Sequence, residues 1–599
     1  MRPSRRLLVV TAVAAVASFA ARHAIADDPP YSPYERQSIA QAARELKATV
    51  EPEPEGKIVE SIELRPLDVF EPRDPLPDVI EDFLNVFHAR TRPFIIEREV
   101  LLNVGKPWEQ RLADETARNL RGIRQLSLVL VVPLKGSSPD KVKVLVITKD
   151  IWSLRLNSDF RVGNGQLEYL VIAPSEENLA GLHHSGSVRF IYEPDTYTFG
   201  VSYKVPRIGA SWIQASAATN IIINKNSGVI EGSSGSFGYG QPLYSTETEW
   251  SWVGGIVWLS EVTRFFRGTT EMTFDAEVTP GVDDQVPYEY DTEEIAARFA
   301  VTRSFGTVIK QDINFGAEAS RAVYRMRNKQ DFPPQVDEEF ETTILPVSDK
   351  RVYPFLGYAS YSTTFKSFVD FNTLGLQEDY RLGHDVYLKA YPVLKELASS
   401  RSYAGGAAGA AYSVPMGDGL ARGYAEGVVE ASPERVYDAN LLAGARIVTP
   451  RIGFGRLVVD GYTRQRFENF LNRRSTIGGD TRLRGYPSGA YRGENIIAYN
   501  VELRSSPFEI LTVQVGGVAF FDAGVAYDNG DPIELRQSAG VGARVVFPQL
   551  DRSVLRFDWG LPTELDPDIG VTSIFPGHFT FTFKQAFEMP SIAPPTVLD

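Results

Sequence analysis

Residues 495–504, NIIAYNVELR, alternate Ile497, Tyr499, Val501 and Leu503 with Ala498, Asn500, Glu502 and Arg504. A period of two predicts a strand with one face in an apolar medium and the other in a polar one. The rhythm recurs across 152–587, in RFIYEPDTYTFGVSYKV, EWSWVGGIVW, VYPFLGYASYSTTF and RLVVDGYTRQRF, broken each time by a turn. Roughly sixteen to twenty segments can be marked, because the signal of a single membrane strand is weak. The last is HFTFTFKQAF, 578–587, which sets Phe579, Phe581, Phe583 and Phe587 on one face and Thr580, Thr582 and Lys584 on the other.

Upstream the period changes. Residues 57–150 predict a small α/β domain: a strand over 58–64, a helix from the spacing of Leu76, Val79, Ile80, Phe83, Leu84 and Phe87, and a second helix over 108–121. Strands over 126–132 and 141–148 then follow, joined by the turn KGSSPD. So small a sheet has an edge able to accept an incoming strand. Residues 27–56 are proline-rich and acidic and are expected to form a linker, with a short helix over 34–48.

Composition narrows the medium. Arg2, Arg5 and Arg6 precede an apolar run over 7–21 and the small-x-small site Ala24-Ile25-Ala26, so residues 1–26 predict a secretory signal peptide. Losing its four arginines takes the formal charge from -14 to -18, which argues against nucleic acid as a partner. With no cysteine, neither disulfides nor thiolate chemistry is available. The six histidines are scattered, and the adjacent His183 and His184 are expected to be loop residues, so no metal site is predicted. No later run of about twenty apolar residues offers a spanning helix. With 26 Tyr, 34 Phe and 49 Gly, the alternation predicts a mainly β chain: a transmembrane antiparallel β-barrel over 151–587, lipid outside and polar groups inside. The acidic, proline-containing connections 278–294 and 328–341 are expected to be surface loops.

The run IGG…LRGY…GENI…VELR over 477–504, FFDAG at 520–524, GVGARVVFP at 540–548 and LRFDWGLP at 555–562 resembles the C-terminal half of BamA/TamA-type outer-membrane assembly barrels of the bacterial surface-antigen superfamily. FLNVFHARTRPFIIEREVLLNVGKPW…ETARNLR, 83–121, is similar to the periplasmic POTRA domain that precedes those barrels. The resemblance implies about sixteen strands and a loop folded back into the lumen, whose arginine pairs with acids on the wall. The matching positions are Arg484, Gly485 and Tyr486 for the loop tip, Glu502 on the following strand, and Phe520, Asp522 and Gly524 for the F-x-D-x-G element.

The residues read alone agree. Glu502 shares parity with Asn500 and Arg504, and Asp522 with Thr512 and Gln514, so both carboxylates are expected to face the lumen. A guanidinium offers a planar fork suited to two carboxylates. Gly478, Gly479 and Gly485 permit the turns that tuck the loop inward.

The resemblance also implies a weakly joined seam between first and last strands, near 152–161 and 578–587, which can part and accept a client β-strand. The chain is therefore expected to be an outer-membrane protein assembly or translocation factor, with the N-terminal domain in the periplasm. It would need no cofactor or covalent chemistry. Expected partners are outer-membrane lipid, client outer-membrane or secreted proteins, and periplasmic chaperones or accessory lipoproteins. A two-partner-type secretion porin, with 34–48 as its plug helix, and a passive or lipid-handling barrel are the alternatives. Neither GSSGS nor GYPSG fits the G-x-S-x-G spacing of a serine hydrolase, so an enzyme is not expected. Residues 588–599, EMPSIAPPTVLD, extend past the last predicted strand and are expected to form a periplasmic tail.

Overall fold

The computed structural model describes residues 31–71, 89–163, 166–276, 285–327, 329, 331–479, 482–583 and 585–598; the expected leader and the helix expected over 76–87 lie outside them. Helix α1 (Pro33–Glu45) starts at a capping box, in which Ser32 Oγ accepts the Glu35 N–H at 3.2 Å and the Glu35 carboxylate accepts the Ser32 N–H at 2.6 Å. It does not span solvent as a linker. Ile39, Ala42 and Leu46 form one apolar stripe that packs on a sheet of three strands.

That sheet comprises β1 (Ile58–Leu67), β2 (Leu126–Lys135) and β3 (Lys141–Asp150) in the order β1-β3-β2, with β1 parallel and β2 antiparallel to β3. Val142, Val144 and Val146 of β3 pack toward Trp108, Ala113 and Leu120, the last two on helix α3 (Gln110–Arg121), whereas Leu145 and Ile147 meet α1. Burial on both faces explains why KVKVLVIT carries so many apolar residues in succession. A short helix α2 (Pro93–Glu97), unexpected from the sequence, buries Ile95 and Ile96 beside this core. Part of the β2 edge is already taken, since Glu51 N–H donates to Pro133 O at 2.9 Å and Lys135 N–H to Thr49 O at 2.9 Å.

The rest of the chain closes into an antiparallel barrel of 20 strands, from Leu154–Gly163 to His578–Phe583. The short strand Phe508–Ile510 prolongs Asn495–Ser505 along the same neighbour and is counted with it. Closure pairs the edges of the sheet with each other, completely except at the seam between the first and last strands. Strand Thr196–Val205 shows the parity: Phe199, Val201 and Tyr203 are exposed outside, while Thr198 is buried inside. The number implied by the resemblance, sixteen, is therefore corrected to 20. Some walls hide from a hydropathy pattern: in Tyr403–Met416 both faces of AGGAAGAA are small. Among the described residues no helix is long and apolar enough to cross a membrane.

Four segments depart from expectation. The connection 278–294, expected to be a surface loop, holds a short strand (Gln285–Pro287) paired with Thr273–Asp275, and its residues from Glu289 on already belong to the barrel strand Glu289–Phe305. The connection 328–341, expected to be a plain loop, carries most of a helix (Pro334–Thr343) that buries Val336 and Phe340 against Tyr288, Tyr290 and Met326. At the end of the barrel nearest the α/β domain, a hairpin (Phe365–Val369 with Gln377–Arg381) packs Phe368 and Phe371 against Leu420, Val448 and Phe587. The last strand ends at Phe583 rather than 587, and the residues after it turn inward; Phe587 lies under the Arg446 guanidinium, 4.8 Å from ring centre to Cζ. The inward turn follows the polar hold on the backbone, because Arg446 Nη1 donates to Phe587 O at 3.3 Å.

His183, expected to be a loop residue, does lie in a turn but is buried. It ties the turn between the second and third barrel strands, Gln166–Leu179 and His184–Tyr192, to the α/β domain: Thr91 Oγ1 lies 2.9 Å from His183 Nε2, and the Thr91 N–H donates to Asp150 at 2.7 Å. Burial pushes the His183 pKa down to about 4, with Asp150 opposing the fall and Arg98 adding to it. The unfolded chain binds this proton near pH 6.5 and the folded chain does not, so stability is lost as pH falls from about 6.5 toward 4. Amide exchange at 89–92 and 178–184 is expected to quicken over that window, and His183→Gln should flatten the dependence.

Candidate functional site

The loop between strands Gly455–Asn469 and Asn495–Ser505 enters the lumen from the end far from the α/β domain and buries its tip. Three consecutive residues do this work. Arg484 is 1% exposed, with Nη1 2.6 Å from Glu502 Oε1 and 3.1 Å from Asp558 Oδ2. Its Nε and Nη2 grip Asp522 bidentately at 2.8 and 2.9 Å, and its backbone N–H donates to the same carboxylate at 3.0 Å. The guanidinium also covers the Phe520 ring, 3.6 Å from its centre. Gly485, at φ +100°, lies flat on the wall, and Tyr486 is fully buried with its hydroxyl donating to Gln537 O at 3.0 Å. Gly524 faces Ile477 near the root of the loop, where an added Cβ would come within 2.6 Å of the Ile477 side chain.

Sequence reasoning passed over half of this cluster. Asp558 accepts from Arg484, from Arg544 at 2.6 Å, and lies 3.3 Å from Arg556; Arg504 pairs with Glu502 at 2.7 Å. Arg556 and Asp558 share parity in LRFDWGLP, as Glu502 and Arg504 do in VELR, so same-face charge at i,i+2 was the available signal. Asn500 adds a neutral donor to Asp522 at 2.8 Å. Buried charge of this density is tolerated only when each member is paired and hydrogen-bonded.

The cluster joins three lumen insertions. Arg504 Nη1 donates to Phe371 O of the domain-end hairpin at 3.0 Å, and Arg544 Nε donates to Gln585 Oε1 of the segment after the last strand at 3.0 Å. Gln585 in turn donates to Asn372 O at 3.0 Å. On its other side the hairpin meets the α/β domain, where Arg121 of α3 and Asp379 approach to 2.7 Å.

Glycine at 560 is required by the loop that crosses it. A Cβ there would meet Gly485 N at 2.6 Å and Arg484 C at 2.8 Å, both backbone atoms that cannot swing aside. Gly560→Val is expected to cost about 1–3 kcal/mol and to lift the loop from the wall. Gly423→Ala, where a Cβ meets nothing within 4 Å, is the matched control. Denaturant titration of both variants distinguishes loop displacement from a general barrel effect.

The second feature is the seam. The first strand, Leu154–Gly163 rather than 152–161, pairs with its neighbour over ten residues, with one register shift after Arg161, yet with the last strand over four, Phe160–Gly163 with His578–Phe581. Phe160 and Phe581 stack at 4.5 Å, and Phe581 also packs on Phe557 at 4.6 Å; Phe579 is exposed and Phe583 half-buried. The stitching thus sits at the far end and stops toward the α/β domain. There a cavity of about 1580 Å³ opens between the early strands and the domain, lined by Asn157, Ser158, Ser175, Ser187, Arg118 and Arg207.

Among the described residues no group of three or more His, Cys, Asp or Glu is placed to hold a metal ion. Fold and lumen together define a single-chain β-barrel of the outer-membrane type, its bore filled by a charged loop. Solved structures to which the chain is similar are BamA from Haemophilus ducreyi lacking POTRA domains 1–3 (12% identity, 92% of this chain and 93% of that one, TM-score 0.35) and CdiB from Acinetobacter baumannii (10%, 98% and 87%, 0.40). CdiB from Escherichia coli is a third (12%, 93% and 100%, 0.38). No family model and no curated protein matches the chain.

Proposed function

We propose that this chain assembles or translocates client proteins at the bacterial outer membrane, with the α/β domain acting as a POTRA-like client receiver in the periplasm. The observation that carries the reading is the seam, held by a ladder of four residues while the same first strand keeps ten with its other neighbour. Parting so short a ladder exposes backbone donors and acceptors at membrane depth, where each unsatisfied group costs several kcal/mol. A client β-strand supplies the missing partners by strand addition. The Arg484 cluster keeps the remaining wall and its inserted loop rigid while the seam moves.

Lipid, client β-strands and periplasmic chaperones or accessory lipoproteins are the proposed partners. The secretion-porin alternative loses its candidate plug, because α1 packs on Leu128, Leu130 and Leu134 of the sheet and not in the bore. The test is depletion of the protein in its host, followed by measurement of folded outer-membrane proteins. The reading expects a selective fall in folded clients, restored by the wild-type chain. Unchanged levels of all of them would leave the passive-barrel alternative standing.

A further inference from the structure

Residues 585–598 do not hang in the periplasm. They run up the inside of the barrel as an extended strap without secondary structure, and the wall they touch has a particular construction. On strand Tyr403–Met416 the inward positions include Gly405, Ala407, Gly409 and Ala411. Tyr391 and Tyr387 of the neighbouring strand Gly383–Val393 lie over Gly405 and Gly409, where a Cβ would come within 2.2 Å of each ring. The tyrosines are held in place from behind: Tyr391 donates to Glu430 at 2.8 Å, Tyr387 to Glu426 at 3.2 Å and Tyr353 to Glu318 at 2.6 Å. Tyr353 and Tyr391 stack at 4.7 Å. The result is a trough with aromatic walls and a floor of small residues.

The strap fills it with side chains that suit it. Ile592 is buried with Tyr387, Ala407, Ala411 and Tyr424, and Val597 packs against the cluster of Tyr353, Tyr391 and Tyr403. Lys389, buried and held by both Glu318 oxygens at 3.0 Å, donates to Pro595 O at 2.7 Å, and Arg446, paired with Asp460 at 2.7 Å, reaches Phe587 O at 3.3 Å. Two fixed cations thus read main-chain carbonyls, which every polypeptide offers. Aromatic faces accept proline and aliphatic side chains, and the occupant carries Pro590, Pro594 and Pro595, a composition that favours a preformed extended chain at low entropic cost.

We propose that this trough is a binding site for extended, proline-containing apolar polypeptide, and that residues 586–598 occupy it as a resident competitor. It deepens the client-handling reading by naming the ligand class. Its readout is peptide binding to purified protein, so it can fail without the seam reading failing, and the reverse. A tethered segment acts at an effective concentration on the order of millimolar, so a client segment gains the site only when the strap leaves.

The experiment uses the full chain and a version lacking residues 588–599, both in detergent, with folding checked by the mobility of unboiled samples on gels. The probe is a fluorescein-labelled peptide of sequence 586–598, followed by anisotropy. The shortened, folded barrel is expected to bind it saturably, and the full chain at least tenfold more weakly. Ala407→Trp in the shortened chain fills the floor beneath Ile592 and should weaken binding at least tenfold. An unlabelled proline-containing apolar peptide of unrelated sequence should compete. Equal binding by full and shortened chains, indifference to Ala407→Trp, or failure of the unrelated peptide to compete would overturn the proposal. If the shortened chain does not fold, Ala407→Trp and Ala411→Trp in the full chain replace it. Expulsion of the strap, read as cleavage near residue 592 by added protease, supports the trough, and continued protection overturns it.

Discussion

Arg484→Glu is expected to abolish the compact, heat-modifiable form of the barrel. Asp522 has two of its contacts to the guanidinium and one to the Arg484 backbone, and Glu502 and Asp558 lie within 3.1 Å of the same group. Glu502 and Asp558 retain other arginines, Arg504 at 2.7 Å and Arg544 at 2.6 Å, so the damage concentrates at Asp522. That carboxylate is fully buried and keeps only the neutral Asn500 amide among its described side-chain donors. Breaking a buried pair costs about 3–5 kcal/mol, and placing a fourth carboxylate among three adds repulsion. Arg484→Lys restores charge without the bidentate fork and is expected to fall between wild type and reversal. Gel mobility of unboiled samples over a temperature series measures all three. Wild-type mobility for the reversal would show that the loop is not held by this cluster.

The parts of the molecule that follow a short rule could be read from its sequence. Glu502, Arg504 and Asn500 face the bore because strand parity allows nothing else once Tyr499 and Leu503 are exposed on the outer face. A tucked loop needs glycine where backbone crosses backbone, and Gly485 supplies it. What escaped reading was set by tertiary proximity. Arg544 and Asp558 lie on neighbouring strands, and nothing local in GVGARVVFP or LRFDWGLP tells that they meet Glu502 and Arg484. The strap after Phe583 has no period of its own, since it answers to a trough built from residues 353–424. Strand number escaped for a related reason: a wall made of AGGAAGAA contrasts in size with its neighbours, not in hydropathy. The hairpin 365–381 reads as one more strand pair until its Phe368 and Phe371 are seen under the barrel.

The second large effect concerns the seam. Phe160 and Phe581 are register partners at the end of the four-residue ladder, and the chain contains no cysteine, so a Phe160→Cys/Phe581→Cys pair can form one disulfide only. Reduced, the variant loses the Phe160–Phe581 stack and the packing of Phe581 on Phe557, and should still insert clients nearly as well as wild type. Oxidised, it holds the first and last strands together covalently at the point where their separation must begin. Folded client protein should then fall at least fivefold, to the level of a depleted cell, while the barrel itself stays folded. Val162→Cys/Phe579→Cys, two pairs further along the same ladder, should behave alike. A variant with Thr580 alone changed to Cys controls for oxidant.

Strand separation at this seam is what the account stands on, and the direct measurement is the amount of folded client protein in depleted cells supplied with the Phe160→Cys/Phe581→Cys chain under oxidising and then reducing conditions. Assembly is expected to be lost when the pair is closed and to recover when it is reduced. Full assembly through a quantitatively closed seam would contradict strand separation.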